Sequence, residues 1–221
     1  DIGGESTRPG AEPVDVEEEL RRVIPVIKEL KRVRPNGLIS IDTRRPIVAI
    51  EAIKSGADMV NDVSGLSDPD MVEVILENGC AVCIMHMQGL PKNMQENPNY
   101  GDCINEVSQF LFNQAEMLVS KGHSEELIII DPGIGFGKKL EHNLDLLKNI
   151  EVLTKSRFSV MLGVSRKSMI GQITGKEDPE ERLSGTLATS AFAFYNEIDI
   201  IRVHDLDQNI DLLKVLDKLE N

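Results

Sequence analysis

What most limits the folds open to this chain is a repeated alternation of two patterns. Short apolar, β-branched runs occur at LISID (38–42), DMVND (58–62), AVCIMHM (81–87), LIIID (127–131), FSVMLGVS (158–165) and DIIRVHD (199–205), and a helical pattern follows each. Near-continuous apolar runs of this length suit parallel strands buried on both faces. The helical stretches carry their own start and stop signals. RPIVAIEAIKSG has Pro46 in a first-turn position and stops at Gly56, and SDPDMVEVILENG repeats the device with Pro69 and Gly79. VEEELRRVIPVIKEL places Leu20, Val23, Ile24, Ile27 and Leu30 on one stripe, with Pro25 expected to kink it. At the end of the chain, DQNIDLLKVLDKLE keeps Ile210, Leu213 and Leu216 in register.

Together with a strand tail at DIGG (1–4), these runs amount to seven βα units, which fit either a (β/α)8 barrel or a doubly wound sheet. The polar residues that end the runs favour the barrel. Asp1, Asp42, Asn61, His86, Asp131, Lys167, Arg202 and His204 are spread over nearly every unit, whereas a doubly wound sheet concentrates its chemistry at one Gly-rich turn. No linker, charge block or low-complexity segment divides the 221 residues, so one domain over 1–221 is expected. The chain opens on Asp1 at the end of a strand. The expectation is therefore an α/β (β/α)8 TIM barrel that lacks the first βα unit and most of the second strand, and that is insoluble or molten when isolated.

Composition narrows the function classes. A formal net charge of −13 argues against nucleic acid and anionic membrane partners, and an anionic ligand has to be captured by local cations. No run reaches the ~20 apolar residues of a bilayer span. Three cysteines at 80, 83 and 103 cannot form an even disulfide framework, and a reducing cytoplasm is the expected setting. Neither a zinc spacing nor a G-x-S-x-G elbow is present, and His123 and His142 are expected to lack partners.

Strand parity selects the candidate site residues. Arg202 and His204 alternate with Ile201 and Val203, so they share a face; either they pair with Asp205 or they aim two nitrogen-rich groups at an anion. Asp42 and Asp131 end apolar runs, where a carboxylate can read an amino-amidine edge of a heterocycle or cap the next turn. Asn61 adds an amide to that set. The segment Asp131–Lys138 fails both phosphate-loop spacings; it is either a backbone that approaches a ligand, with Phe136 as an aromatic wall, or a plain connection. Arg166, Lys167 and Ser168 stand where a strand passes into a helix, as an anion or polar-ring site or as a solvated basic turn. GGESTRPGAE (3–12) presents Thr7, Arg8 and Pro9 on a loop that is a connector or a lid, and in HMQGLPKNMQENPNY (86–100) Met87 and Met94 are expected to pack.

In this order, DIGGESTRPGAEPV, SIDTRRPIVAIEAIKSGADMVNDVSG, IMHMQGLPKNMQ, IIIDPGIGFGK, LGVSRKSMIG and IIRVHD closely resemble the dihydropteroate synthase family of the folate pathway, over nearly the whole chain. The resemblance implies a TIM barrel that joins 6-hydroxymethyl-7,8-dihydropterin diphosphate to 4-aminobenzoate, giving 7,8-dihydropteroate and diphosphate, with Mg2+ and as a homodimer. Matched motif by motif, it implies that Asp42, Asn61, Asp131 and Lys167 form the pterin pocket and that Arg202 and His204 hold the diphosphate. Thr7, Arg8 and Pro9 become a mobile loop over the aminobenzoate, with Phe136, Lys167 and Ser168 on its other side. Asp131, Lys167, Arg202 and His204 take the catalytic roles in a loose displacement at the pterin methylene carbon. The family's Asn-x-Thr-Pro-Asp-Ser-Phe motif, whose Asn helps bind Mg2+, is absent from this sequence, so no metal ligand is assigned. Two rivals share the ring pocket: a methyltransferase barrel serving a corrinoid partner, and a non-catalytic pterin-binding module. Ser165–Ser168 together with Arg202–Asp205 favour the synthase, because the methyltransferase has no diphosphate to stabilise.

Overall fold

Seven parallel strands lie side by side in chain order: β1 (Ile2–Gly3), β2 (Ser40–Asp42), β3 (Met59–Asp62), β4 (Ala81–Met85), β5 (Ile128–Asp131), β6 (Ser159–Leu162) and β7 (Ile200–Ile201). A computed structural model describes residues 1–8 and 10–220 of the chain. Nine helices occur among them: α1 (Val16–Val33), α2 (Pro46–Lys54), α3 (Pro69–Asn78), α4 (Cys103–Ser120), α5 (Leu140–Lys148), α6 (Glu151–Thr154), α7 (Ser168–Thr174), α8 (Leu183–Tyr195) and α9 (Leu206–Glu220). None of the described helices is long and apolar enough to cross a membrane.

Both faces of the inner strands β2 to β6 are largely buried, as their apolar runs require. Ile41, Val60, Val82, Ile84, Ile128, Ile130, Val160 and Leu162 pack outward on helix residues such as Ile27, Ala52, Ile75, Leu111 and Leu146. On the other face, Cys83, Ile129 and Met161 form a smaller cluster with Met59 and Ile200. Register then fixes what lies above that inner cluster. Asp42 pairs with Asn61, Cys83 with Ile129 and Met85 with Asp131, so Asp42, Asn61 and Asp131 share the inner parity near the C-terminal ends of their strands. The sheet curls until its two end strands face each other: Arg202, just past β7, donates through Nε to Asp1 Oδ2 at 2.7 Å beside β1. This is the parallel, helix-covered architecture of a TIM barrel, drawn here by seven strands.

The helix signals act as read. Asp15 caps α1 by accepting from Glu18 N at 2.8 Å, and Gly79 ends α3 with φ 59°. Two expectations are corrected. Leu30, read as part of the buried stripe of α1, is exposed, the buried residues being Glu19, Val23 and Ile27. The last strand is also much shorter than its apolar run. Arg202 N still bonds Leu162 O at 3.0 Å, but His204 N turns away to the Ser165 hydroxyl at 3.2 Å, which ends the ladder.

Candidate active site

The inner-face carboxylates are held in place by short contacts. Asp42 Oδ2 lies 3.4 Å from Arg202 Nη2, and Asn61 Nδ2 donates to Asp1 Oδ2 at 3.2 Å, which ties the ends of β2, β3 and β7 to the same cluster. Asp131 Oδ1 accepts from Gly133 N at 2.7 Å. Burial drives the Asp42 carboxyl up to about 6, opposed by Arg202 and reinforced by the negative Glu19 and Asp62. Burial also raises Asp131, against the pull of Lys167, the Gly133 hydrogen bond, Lys138 and Arg202. Lys167 moves the other way, down to about 8, because it too is taken out of water and Arg202 adds like charge. Its ammonium donates to Ile134 O and stands 4.5 Å from the centre of the Phe136 ring, forming one wall beside Asp131. Ser168, the next residue, is exposed at the first turn of α7.

A second group of nitrogen-bearing side chains gathers beyond β7. Arg202 and His204 are both exposed at the mouth of the curled sheet. His204 Nδ1 lies 3.0 Å from Ser165 Oγ, and partial burial, then Arg166, Arg202 and Arg8, hold its imidazolium below the usual histidine range, with Asp205 opposing. Asp205 does not pair with Arg202 or His204. It takes Arg166 instead, in a two-pronged contact of 2.5 and 3.0 Å, and Arg166 itself sits in the left-handed region at φ 57°. Of the basic turn read from sequence, Arg166 is therefore a strut, Lys167 stands beside Asp131 and Phe136, and Ser168 is exposed.

The loop from Gly4 to Val14 is closed at its base and touches another loop near its tip. Glu5 accepts from Val14 N at 2.8 Å, Arg44 Nε at 2.9 Å and Arg45 Nη2 at 2.7 Å. Arg45 also pairs with the buried Glu19, which Thr43 reaches at 2.7 Å. Further out, Thr7 is half-buried and Arg8 exposed, Gly10 N donates to Pro91 O at 3.2 Å, and Lys92 stands 3.2 Å from Glu12. Pro9 lies outside the described residues. The 86–100 segment is thus a partner to this loop, with Met94 buried in it and Met87 half-buried.

Several residues of consequence were not singled out from sequence. Glu19 left a readable trace: it precedes Val23 by four residues and Ile27 by eight, which puts it on the buried face. Glu5, Arg45 and Lys138 left none, because their partners come from distant segments, and Ser165 entered only as part of a motif. His142 was expected to stand alone, yet its Nδ1 accepts from Lys139 N at 3.2 Å and its ring meets Tyr100 edge-on at 4.8 Å. His123 is buried, with Nε2 unpartnered among the described residues.

A family model described as pterin binding enzyme matches residues 1–204. The dihydropteroate synthase of Escherichia coli K12 is 45% identical over 217 residues, covering 98% of this chain and 76% of that protein. The chain belongs to the dihydropteroate synthases of the pterin-binding enzyme family. The synthase of a Synechocystis strain is 44% identical over 99% of this chain and 76% of its own length. Among solved structures, the Xanthomonas albilineans dihydropteroate synthase with 4-aminobenzoic acid superposes with a TM-score of 0.93 at 39% identity, covering 99% of this chain and 78% of that one. The same enzyme in complex with 7,8-dihydropteroate gives 0.88 at 36% identity, over 96% of this chain and 77% of that one.

Proposed function

We propose that this synthase condenses 6-hydroxymethyl-7,8-dihydropterin diphosphate with 4-aminobenzoate in a pocket divided between the two groups just described. The observation that carries the reading is the convergence of Asp42, Asn61 and Asp131 on one inner face, with Lys167 beside them and Arg202 and His204 at the rim. A carboxylate at Asp131 accepts both hydrogens of the pterin's amino-amidine edge, while Asn61 and Asp42 meet other edges of the ring. The aminobenzoate nitrogen forms a bond to the pterin methylene carbon as that carbon's bond to diphosphate oxygen breaks, the electron pair leaves with the diphosphate, and the nitrogen then gives up one proton to solvent. Arg202 and the His204 Nε2–H stabilise that departing charge, Nδ1 being occupied by Ser165. Asp131 balances the positive charge that develops on the ring. Phe136 and Ser168 line the aminobenzoate side, and the loop that carries Thr7 and Arg8 covers it.

Mg2+ belongs to this reading as an ion carried in by the diphosphate, since Mg2+ is commonly held by substrate phosphates with few protein ligands. Among the described residues no group of three or more His, Cys, Asp or Glu side chains is placed to hold a metal, and Arg202 fills the space between Asp1 and Asp42. The residues present do not make a Mg2+ cage, and no step is assigned to one. The reading further takes the enzyme as a cytoplasmic homodimer. Exposed Ile173, Tyr195, Val215 and Leu219 on the successive helices α7, α8 and α9 support the dimer, and three free buried cysteines suit a reducing compartment.

Lys167 tests the division of the pocket, because its ammonium stands between Asp131 and Phe136. In calorimetric titrations, Lys167→Gln is expected to weaken binding of both the pterin diphosphate and 4-aminobenzoate by about tenfold, the size of one lost charge-assisted hydrogen bond. A loss confined to one substrate contradicts the shared wall.

A further inference from the structure

The glycine turn after β5 is held more firmly than a connector needs. From Gly133 to Gly137, every successive carbonyl accepts a hydrogen bond from a side chain. Lys138 Nζ serves Gly133 and Phe136 at 3.0 Å each, Lys167 Nζ serves Ile134, Gln95 Nε2 serves Gly135 at 2.6 Å, and Tyr100 OH serves Gly137 at 2.9 Å. The turn also lies hard against the end of β4. A Cβ on Gly133 would come within 2.0 Å of His86 O, and one on Gly137 within 2.3 Å of Gln88 O.

Lys138 is the hub of this arrangement. It is only 3% exposed, and its Nζ also reaches His86 O at 3.2 Å and His86 Nδ1 at 3.0 Å. No carboxylate is among these partners. Burying a cation without a counter-ion opposes folding, and burial pushes this lysine down to about 7. The surroundings nevertheless suit the charged form, because three carbonyl acceptors match the three N–H bonds of an ammonium. His86 stays neutral beside it, held down to about 3 by burial and by the lysine itself. The charged and titratable groups that face Lys138 are His86, Tyr100, Cys103, Asp131 and Lys167. Those that face Asp131 are Lys167, Lys138, Arg202 and Cys83.

The geometry points to Lys138 as a positioning residue of the reaction: its ammonium fixes the turn that carries Phe136 and the acceptor for Lys167. Its charge also joins Lys167 and Arg202 in opposing the burial that raises Asp131. This rests on the pterin reading of Asp131 given above. A peg that served stability alone would alter melting but not the pH at which the pterin is released. With Lys138 neutralised, Asp131 holds its proton at higher pH, so pterin binding is lost earlier on acidification.

The test is calorimetric titration of the full chain with the pterin diphosphate across a pH series, and with 4-aminobenzoate in the presence of diphosphate, alongside thermal melting. In Lys138→Met the acid limb of pterin binding is expected about one pH unit higher than in the wild type, a displacement typical of losing one nearby charge, and the aminobenzoate Kd about tenfold higher. Lys138→Arg is expected to restore the acid limb. If Lys138→Met does not fold, Lys138→Gln replaces it in the same titrations with the same expectation. A folded neutral variant with the wild-type acid limb and wild-type aminobenzoate Kd overturns the positioning role, whatever its melting temperature. A wild-type chain that binds no pterin at any pH overturns the pterin reading, and this inference with it.

Discussion

Asp131 and Asp42 are the same chemical group on the inner face of one sheet, separated by two strands and two residues out of level, and their surroundings differ. Asp131 keeps three cations near it and a backbone N–H on Oδ1, which oppose the effect of its burial, whereas Asp42 leans mainly on Arg202. Asp131→Asn is expected to lower turnover by about 10²–10³-fold, the usual cost of removing one group that stabilises transition-state charge. Because the change also removes a buried carboxylate, melting should stay near or above the wild-type value. A steady-state assay paired with a thermal melt checks both halves, and wild-type turnover would remove Asp131 from the mechanism. At this scale the sequence was readable where a polar residue ended an apolar run, since register and parity then fix its direction. Lys138 was unreadable for the opposite reason: its histidine partner lies 52 residues away, and nothing in the local pattern tells a buried lysine from a solvated one.

Among the elements, the loop from Gly4 to Val14 depends on residues outside it. Its base is a buried ion cluster in which Arg45, at the start of α2, bridges Glu5 of the loop and Glu19 of α1. Arg45→Met leaves Glu19, 1% exposed, with only the Thr43 hydroxyl, and breaking a buried pair from one side costs about 3–5 kcal/mol. Urea denaturation is expected to show a loss of that order, most of it recovered in the double variant Arg45→Met with Glu19→Met, in which no buried charge is left alone. A single variant as stable as the wild type would mean that the cluster is solvated. Element identity was legible because the alternation of apolar runs with Pro-started, Gly-stopped helices has few solutions. Element ends were not. DIIRVHD reads as a seven-residue strand, but Ser165, contributed by another segment, captures the His204 backbone and cuts the strand to Ile200–Ile201.

Across the whole molecule, β1 and β7 each pair with one neighbour among the described residues, and the contact between the two ends of the sheet is made by side chains. Arg202 carries it, with Asp1 Oδ2 at 2.7 Å and Asp42 Oδ2 at 3.4 Å. One guanidinium therefore ties two carboxylates across the curl of the sheet. Asp42 provides a way to see the second role. Its folded-state value of about 6 lies above the unfolded carboxylate value, so the folded chain holds the extra proton, and Asp42 stabilises the fold at low pH. That contribution is lost as pH rises toward the folded value. Arg202 lowers that folded value; without it, the loss extends to higher pH. Arg202→Ala should accordingly melt close to the wild type near pH 4, where Asp42 is protonated in both proteins, and fall progressively below it toward pH 8. With about 1.4 kcal/mol per unit of displaced pKa, the gap at the upper end is expected to be roughly 1–2 kcal/mol. Melting curves at several pH values decide it. A gap that stays constant with pH would show that Arg202 acts on stability without touching the charge of Asp42, through its closer pair with Asp1.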